Sequence, residues 1–245
     1  MFSNLIFLTR IDIKRTFRDI RYVFFIIILP VIFYIMYNAL FKSNELIDGV
    51  TWASYSMISL SAFGIIGNGI TSFGTRISQE KSQGWYTFLK ISPISENLYN
   101  LSRIISNIIL SFIIFIIIFI TSYIFYDVRT SVYKLILIAT FLILGSFIFN
   151  LLGLLIGNLK TATQPIATML YLILSFIGGL WMPVISMPQY IQVITKLTPT
   201  YNYANICWSI LSGHHINMIN IFVLLAYLLI FCILIKLFSF KEVVK

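Results

Sequence analysis

Six membrane-crossing helices joined by mostly short loops are the architecture encoded in this chain of 245 residues, which reads as an all-α integral membrane protein. Three observations carry that expectation. Hydrophobic residues make up 59% of the chain and charged ones 10%, whereas soluble domains carry about a quarter charged residues. Six stretches lack Asp, Glu, Lys and Arg and are long enough to cross roughly 30 Å of hydrocarbon, which takes about 20 helical residues. The cations are also unevenly placed. With the N-terminus inside, Arg10, Lys14, Arg15, Arg18, Arg21, Arg76, Lys81, Lys90, Arg103, Lys160, Lys236, Lys241 and Lys245 are cytoplasmic and Lys42, Arg129, Lys134 and Lys196 external, a 13 to 4 split that obeys the positive-inside rule. Both termini are then cytoplasmic. The net charge of +9 is a topology signal, and its dispersal over four cytoplasmic segments argues against a nucleic-acid surface.

The spans fall at about 22–41, 52–74, 104–126, 135–157, 162–182 and 216–235, within a single transmembrane domain covering 1–245. Residues 1–21 precede the first. Phe2, Ile6, Thr9, Ile13, Phe17 and Ile20 form one helical stripe and Arg10, Lys14, Arg18 and Arg21 an adjacent one, the pattern of a basic helix lying in the membrane surface. Its basic residues follow the apolar cluster and abut a full-length span, unlike a cleaved leader. Pro30 invites a kink in the first span. In the second, Ser61, Gly64, Asn68, Thr71 and Thr75 recur every three or four residues, a face that serves helix packing or, through Asn68, a wet cavity. The third span is branched and apolar all round and reads as lipid-facing scaffold.

The fourth span carries Ser146, Asn150 and the close-packing pair Gly153-x-x-x-Gly157. The fifth shows the longest polar and small stripe, Gln164, Thr168, Tyr171, Ser175, Gly178 and Met182, which either packs or lines a route. Glycine and proline then break the helix. Residues 183–213 are too apolar for a solvated loop and too interrupted for a span, so short helices at Pro188 to Leu197 and Tyr201 to Leu211 are expected, folded back into the outer leaflet. Cys207 and Cys232 lie at different depths and cannot pair. His214 and His215 lack partners for a metal and read as a polar turn.

The long polar segment is 75–103. Between Gly84 and Pro93, the residues Trp85, Phe88, Leu89 and Ile91 mark one face of a short helix while Lys81, Gln83 and Lys90 stay wet. Such a helix needs a partner surface. The chain contains no phosphate loop, since the glycines from Gly64 to Gly69 lie in an apolar span without lysine, and no span holds a carboxylate to relay protons. Uphill transport would therefore draw its energy from another subunit.

The order of elements, the text Glu80-Lys81-Ser82-Gln83-Gly84-Trp85 with the later Ser92-Pro93, and the segment Met182 to Tyr201 together resemble the membrane subunit of an ABC-2 type exporter, over essentially the whole chain. Lysine stands at 81 where that family usually has arginine, and tryptophan at 85 where a small polar residue is common. The resemblance implies two cytoplasmic ABC ATPase subunits, which would hold ATP and Mg, while this chain binds no cofactor and is not itself an enzyme. It implies a second permease subunit, identical or homologous, in the cell membrane. Glu80, Lys81, Gly84, Trp85, Phe88, Leu89 and Pro93 would then form a coupling helix docking the ATPase, and 183–213 a re-entrant outer hairpin. The first, second and fifth spans would form the dimer seam and substrate route, with Ser61, Asn68, Thr71, Gln164, Thr168, Tyr171 and Ser175 along it. The cargo implied is hydrophobic or amphipathic: a drug, an antimicrobial peptide or a lipid. Alternatives are a non-transporting sensor or immunity protein that sequesters an amphiphile, and a polysaccharide-exporting ABC permease. A secondary transporter is disfavoured by the missing intramembrane charges.

Overall fold

A computed structural model describes residues 2–47, 49–159 and 162–243. The charges assigned to Lys160 and Lys245 fall outside the described residues, as do the side chains of Phe2, Lys90 and Lys241. The chain forms helices α1 (Phe2–Arg18), α2 (Ile20–Leu40), α3 (Trp52–Ser82), α4 (Trp85–Lys90), α5 (Glu96–Tyr126), α6 (Val132–Gly157), α7 (Thr163–Ile177), α8 (Gln189–Leu197), α9 (Pro199–Ser212) and α10 (Met218–Val243). Two antiparallel strands of two residues each, β1 (Leu46–Ile47) and β2 (Val50–Thr51), close the loop before α3, with Leu46 opposite Thr51.

Among the described residues five helices are long and apolar enough to cross a membrane: α2, α3, the part of α5 from Leu98, α6, and Met218–Leu237 of α10. The expected fifth span is α7, which has only 15 residues and is about 22 Å long. It ends because Gly178 packs against Thr200, and because Gly179 takes a left-handed φ of +76°. The carbonyls left over there are satisfied from outside the helix. Thr195 Oγ1 donates to the Ile177 carbonyl at 2.7 Å and Thr200 Oγ1 to that of Leu174 at 2.8 Å. The short helices expected after it are present as α8 and α9.

The helix at the centre is α3. Its apolar window is 89% buried within its own chain, against 28% for α2 and 17% for α10, so α3 is the core around which the rest is arranged. On one side α6 approaches it backbone to backbone. A Cβ added to Gly74 would lie 2.7 Å from the Gly153 carbonyl oxygen, and one added to Gly157 would lie 2.8 Å from that of Gly74. The Gly153-x-x-x-Gly157 spacing therefore does serve close packing, against Gly69 and Gly74. On another side α9 stacks Trp208 on Tyr55 at 4.6 Å, and its Tyr203 hydroxyl donates to the Leu142 carbonyl of α6 at 2.7 Å.

Several expected boundaries shift. The N-terminal helix ends at Arg18, not Arg21, because Asp19 caps the start of α2 by accepting from the Arg21 and Tyr22 amides. On α1, Thr9 and Thr16 are buried while Ile6 and Phe17 are exposed, and Ile20 belongs to α2. Helix α3 runs past Thr75 to Ser82, and α5 begins at Glu96 rather than near Ile104. The third span is not uniformly apolar scaffold, because Ser102, Ser106, Asn107 and Ser111 form a buried polar stripe on α5.

Substituting Gly153→Val should force α3 and α6 apart. An overpacked contact of this kind typically costs about 1–3 kcal/mol, and here the collision is with rigid backbone. Thermal denaturation of the purified variant in detergent is expected to show a melting temperature lowered by several degrees.

Candidate functional site

At the end of α3 opposite Tyr55, charged side chains from three helices are drawn together. Glu80 on α3 is 3% exposed and Arg103 on α5 is 2% exposed; the two form a direct ion pair. Arg15 of α1 reaches the same carboxylate at 3.4 Å. One turn earlier on α3, Arg76 lies 3.6 Å from Asp12 of α1 and donates to the Thr16 hydroxyl. The Arg103 guanidinium also sits 5.8 Å from the ring centroids of both Phe73 and Tyr99, within cation–π reach. Ser106 adds a hydrogen bond to the Thr9 carbonyl at 3.3 Å. The result ties α1, α3 and α5 into one unit.

Beyond it the loop is locally ordered. Gly84 has a φ of +71°, and a Cβ at this position would meet nothing within 4 Å, so conformation rather than space demands glycine there. Helix α4 follows at once. Trp85 stacks on Phe88 at 5.8 Å and meets Tyr99 at 6.1 Å, while Leu89 is buried beneath. Ser95 starts α5 by accepting from the Leu98 amide at 3.4 Å. The exposed face is apolar: Trp85 is 39% exposed, Phe88 58% and Ile91 81%. Gly84 and Pro93 are exposed, and Lys81 is half-buried. Glu80, expected on the docking surface, instead points into the bundle.

A second polar layer lies farther along α3. The Tyr22 hydroxyl donates to Asn68 Oδ1 at 3.1 Å, and Asn68 Nδ2 donates to the Asn107 carbonyl and to Ser111 Oγ at 3.2 and 3.1 Å. Asn107 Nδ2 donates to Asn150 Oδ1 at 2.5 Å. All four helices involved are thus pinned at one level. Here α2 and α3 each contain a π-helical segment, Val23–Ile28 and Asn68–Phe73.

The candidate route residues do not converge on one open surface. Ser61 and Asn68 are fully buried, Ser61 donating to the Met57 carbonyl at 2.7 Å, and Thr71 is half-buried. Tyr171 stacks on Phe63 at 4.7 Å against Gly67, and Ser175 is buried beside it, so this part of the α7 stripe packs on α3. Thr168 is half-buried and Gln164 exposed. Arg10, Lys14, Arg18 and Arg21 are all exposed. Sequence reading missed Asp12, Tyr22, Arg103 and Asn107 as partners. Two signals were available: Arg76 and Glu80 stand four apart on a helix face, and Asp12 is placed among cations.

The family described as ABC-2 type transporter matches residues 3–211. The chain is also similar to the protein of Bacillus subtilis (strain 168) named "Putative transport permease YvfS", with 28% identity over 233 residues that cover 94% of this chain and 95% of that one.

Removing one member of the buried pair leaves the other charge uncompensated, which typically costs about 3–5 kcal/mol. Glu80→Met alone and Arg103→Met alone are therefore each expected to lower the melting temperature sharply. The double substitution Glu80→Met with Arg103→Met should recover more than half of that loss, because two apolar groups of similar length satisfy each other. Melting curves of the single and double variants, combined in a mutant cycle, measure the coupling.

Proposed function

The chain belongs to the ABC-2 type transporter family and is a multi-pass transport permease that works with an ABC ATPase; we propose that it is the membrane half of an ATP-driven exporter for a hydrophobic or amphipathic cargo such as a drug, an antimicrobial peptide or a lipid. In this reading two ATPase subunits dock beneath two permease subunits in the cell membrane, with both termini of this chain cytoplasmic. ATP and Mg reside in the ATPase.

The observation that carries the reading is the exposed aromatic face of α4, formed by Trp85 and Phe88 on a helix that cannot bury it. A six-residue helix would be marginal alone, but α4 is held between α3 and α5, which are joined to each other by the buried Arg103–Glu80 pair and to α1 by the Arg15–Glu80 and Arg76–Asp12 pairs and the Ser106–Thr9 hydrogen bond. A push on α4 is therefore delivered to three helices together. Arg10, Lys14, Arg18 and Arg21 suit α1 to an anionic lipid surface, where each basic side chain contributes on the order of 1 kcal/mol. The outward apolar faces of α2 and α7, with Phe24, Phe25, Ile32, Met169, Ile173 and Phe176, offer the seam for the second permease. Helix α3 is enclosed and supports that seam from behind. The nine- and fourteen-residue lengths of α8 and α9 fit a re-entrant outer segment after α7.

The test is co-purification with a candidate ATPase. Trp85→Ala with Phe88→Ala is expected to reduce recovery of the complex at least tenfold and to abolish permease-dependent ATP hydrolysis, with the melting temperature unchanged within a few degrees. A double variant that binds and couples like the wild type would remove α4 from the interface. Failure of any ATPase to co-purify would favour the amphiphile-sequestering alternative.

A further inference from the structure

At the end of the bundle remote from α4 lies a cavity of about 410 Å³ that none of the roles above uses. Its walls come from four places: Thr51 and Ser54 at the start of α3, Arg129 to Ser131 between α5 and α6, Lys134 in the first turn of α6, and Leu211 near the end of α9. Two cations line it, and among the described residues no Asp or Glu does. Each cation has one fixed partner and donors to spare. Arg129 Nε donates to Asp127 Oδ1 at 2.9 Å, and its two terminal amino groups have no partner among the described residues. Lys134 Nζ donates to the Leu211 carbonyl at 2.8 Å, one of the three N–H groups that it carries. With Asp127 set against Arg129, the charge of Lys134 remains in excess.

The backbone beside these cations adds donors. Ser131 does not cap α6, and the first amide of that helix to find an acceptor is that of Leu135, at the Ser131 carbonyl. The amides of Val132, Tyr133 and Lys134 are thus left without a backbone acceptor among the described residues. The start of α3 is already closed: the Trp52 and Ala53 amides donate to the Glu45 and Ser43 carbonyls, and the Ser54 amide to the Thr51 hydroxyl. The surplus of donors therefore lies along Arg129 to Lys134. A cation would be repelled there, and a neutral group would leave the field of the two cations unanswered. The occupant that fits is an anion with several oxygens pointing in different directions, to meet the Arg129 fork, the Lys134 ammonium and the Thr130 and Ser131 hydroxyls at once. A phosphate group has that shape.

The level of the cavity bears on what carries the phosphate. Tyr123, Ile124 and Phe125 on the last turn of α5 are exposed, and so are Val132, Tyr133 and Ile136 on the first turns of α6. Exposed apolar side chains with tyrosines among them mark the depth at which hydrocarbon gives way to headgroups. The volume of about 410 Å³ exceeds that of a lone ion and lies in the range of small-molecule pockets. We infer that this cavity binds the phosphate of an anionic phospholipid headgroup from the leaflet at this end of the bundle, with Arg129 and Lys134 as its charged contacts. The length of α3 separates this site from the ATPase-docking end, and the outward faces of α2 and α7 do not contribute to it.

The experiment is native mass spectrometry of the full chain released from detergent micelles. It is titrated with phosphatidylglycerol, with phosphatidylcholine, whose ammonium offsets its phosphate, and in a third arm with glycerol phosphate and no lipid. The wild type is expected to bind phosphatidylglycerol more tightly than phosphatidylcholine, and glycerol phosphate far more weakly than either. Arg129→Gln and Lys134→Gln should each weaken phosphatidylglycerol binding about fivefold, the effect of one basic group near an anionic membrane surface. Arg129→Lys, which keeps the charge, should retain most of the affinity. Arg129 is exposed, so its variants test the site without threatening the fold. Equal binding of the two lipids, or phosphatidylglycerol affinity unchanged in both glutamine variants, would overturn the assignment. Saturation by glycerol phosphate at the affinity of the lipid would overturn the lipid source and make the ligand a soluble phosphate.

Discussion

Two carboxylates hold one end of this protein together. Arg76 and Arg103 sit within helices that would otherwise exclude them, and they do so because Asp12 and Glu80 are already there. An isolated buried charge costs several kcal/mol, so each pair makes the position of one helix conditional on another. Helix α1 supplies Asp12 and Arg15, α3 supplies Arg76 and Glu80, and α5 supplies Arg103. None of the three can withdraw without leaving a partner uncompensated. The short helix α4 inherits its placement from this arrangement, since its two neighbours are fixed before it begins.

Farther into the bundle, rigidity is arranged differently. Pro30 has no amide hydrogen to give, and α2 accommodates it by widening its preceding turns, with the Leu29 amide reaching the Phe24 carbonyl five residues back. Helix α3 widens at Asn68–Phe73, where Gly69 lets Phe149 and Asn150 of α6 approach. The Tyr22, Asn68, Asn107 and Asn150 chain crosses this level. Two helices with loosened hydrogen-bond ladders are thus joined side by side by polar side chains, while tight glycine packing lies on the loop side of that layer. A displacement arriving from the ion-pair cluster meets a stiff α3–α6 contact first and the two widened segments next.

The general plan was legible because it depends on local pattern. A helix between Gly84 and Pro93 follows from the spacing of Trp85, Phe88 and Leu89, and α8 and α9 follow from prolines at 188 and 199 set in apolar sequence. Gly153 and Gly157 announced their contact by spacing alone. The boundaries of α3 and α5 were not legible. Treating Arg76 and Arg103 as markers of the water interface assumes that a charge is solvated, whereas these two are neutralised by residues distant in sequence. The inward side of α1 was not legible either, because Asp12 and Thr16 meet a partner, Arg76, that is distant in sequence. Glu80 was noticed for its motif, and only its partner reveals that it faces inward.

The division of the α7 stripe bears on how cargo would travel. Tyr171 and Ser175 are spent on packing against α3, and Ser61 and Asn68 are enclosed, so a polar conduit along the middle of one subunit has no free walls. What remains outward on α2 and α7 is apolar, with Gln164 and Thr168 towards the coupling end of α7. Under the exporter reading, a seam lined this way receives molecules that already partition into lipid, entering beside α2 and α7 from the bilayer. A strongly hydrophilic polymer would find few hydrogen-bond partners along such walls and would lose hydration at each step. The arrangement of polar groups, buried in the subunit and sparse on its outward face, is therefore the physical reason to favour an amphipathic cargo over a polysaccharide chain.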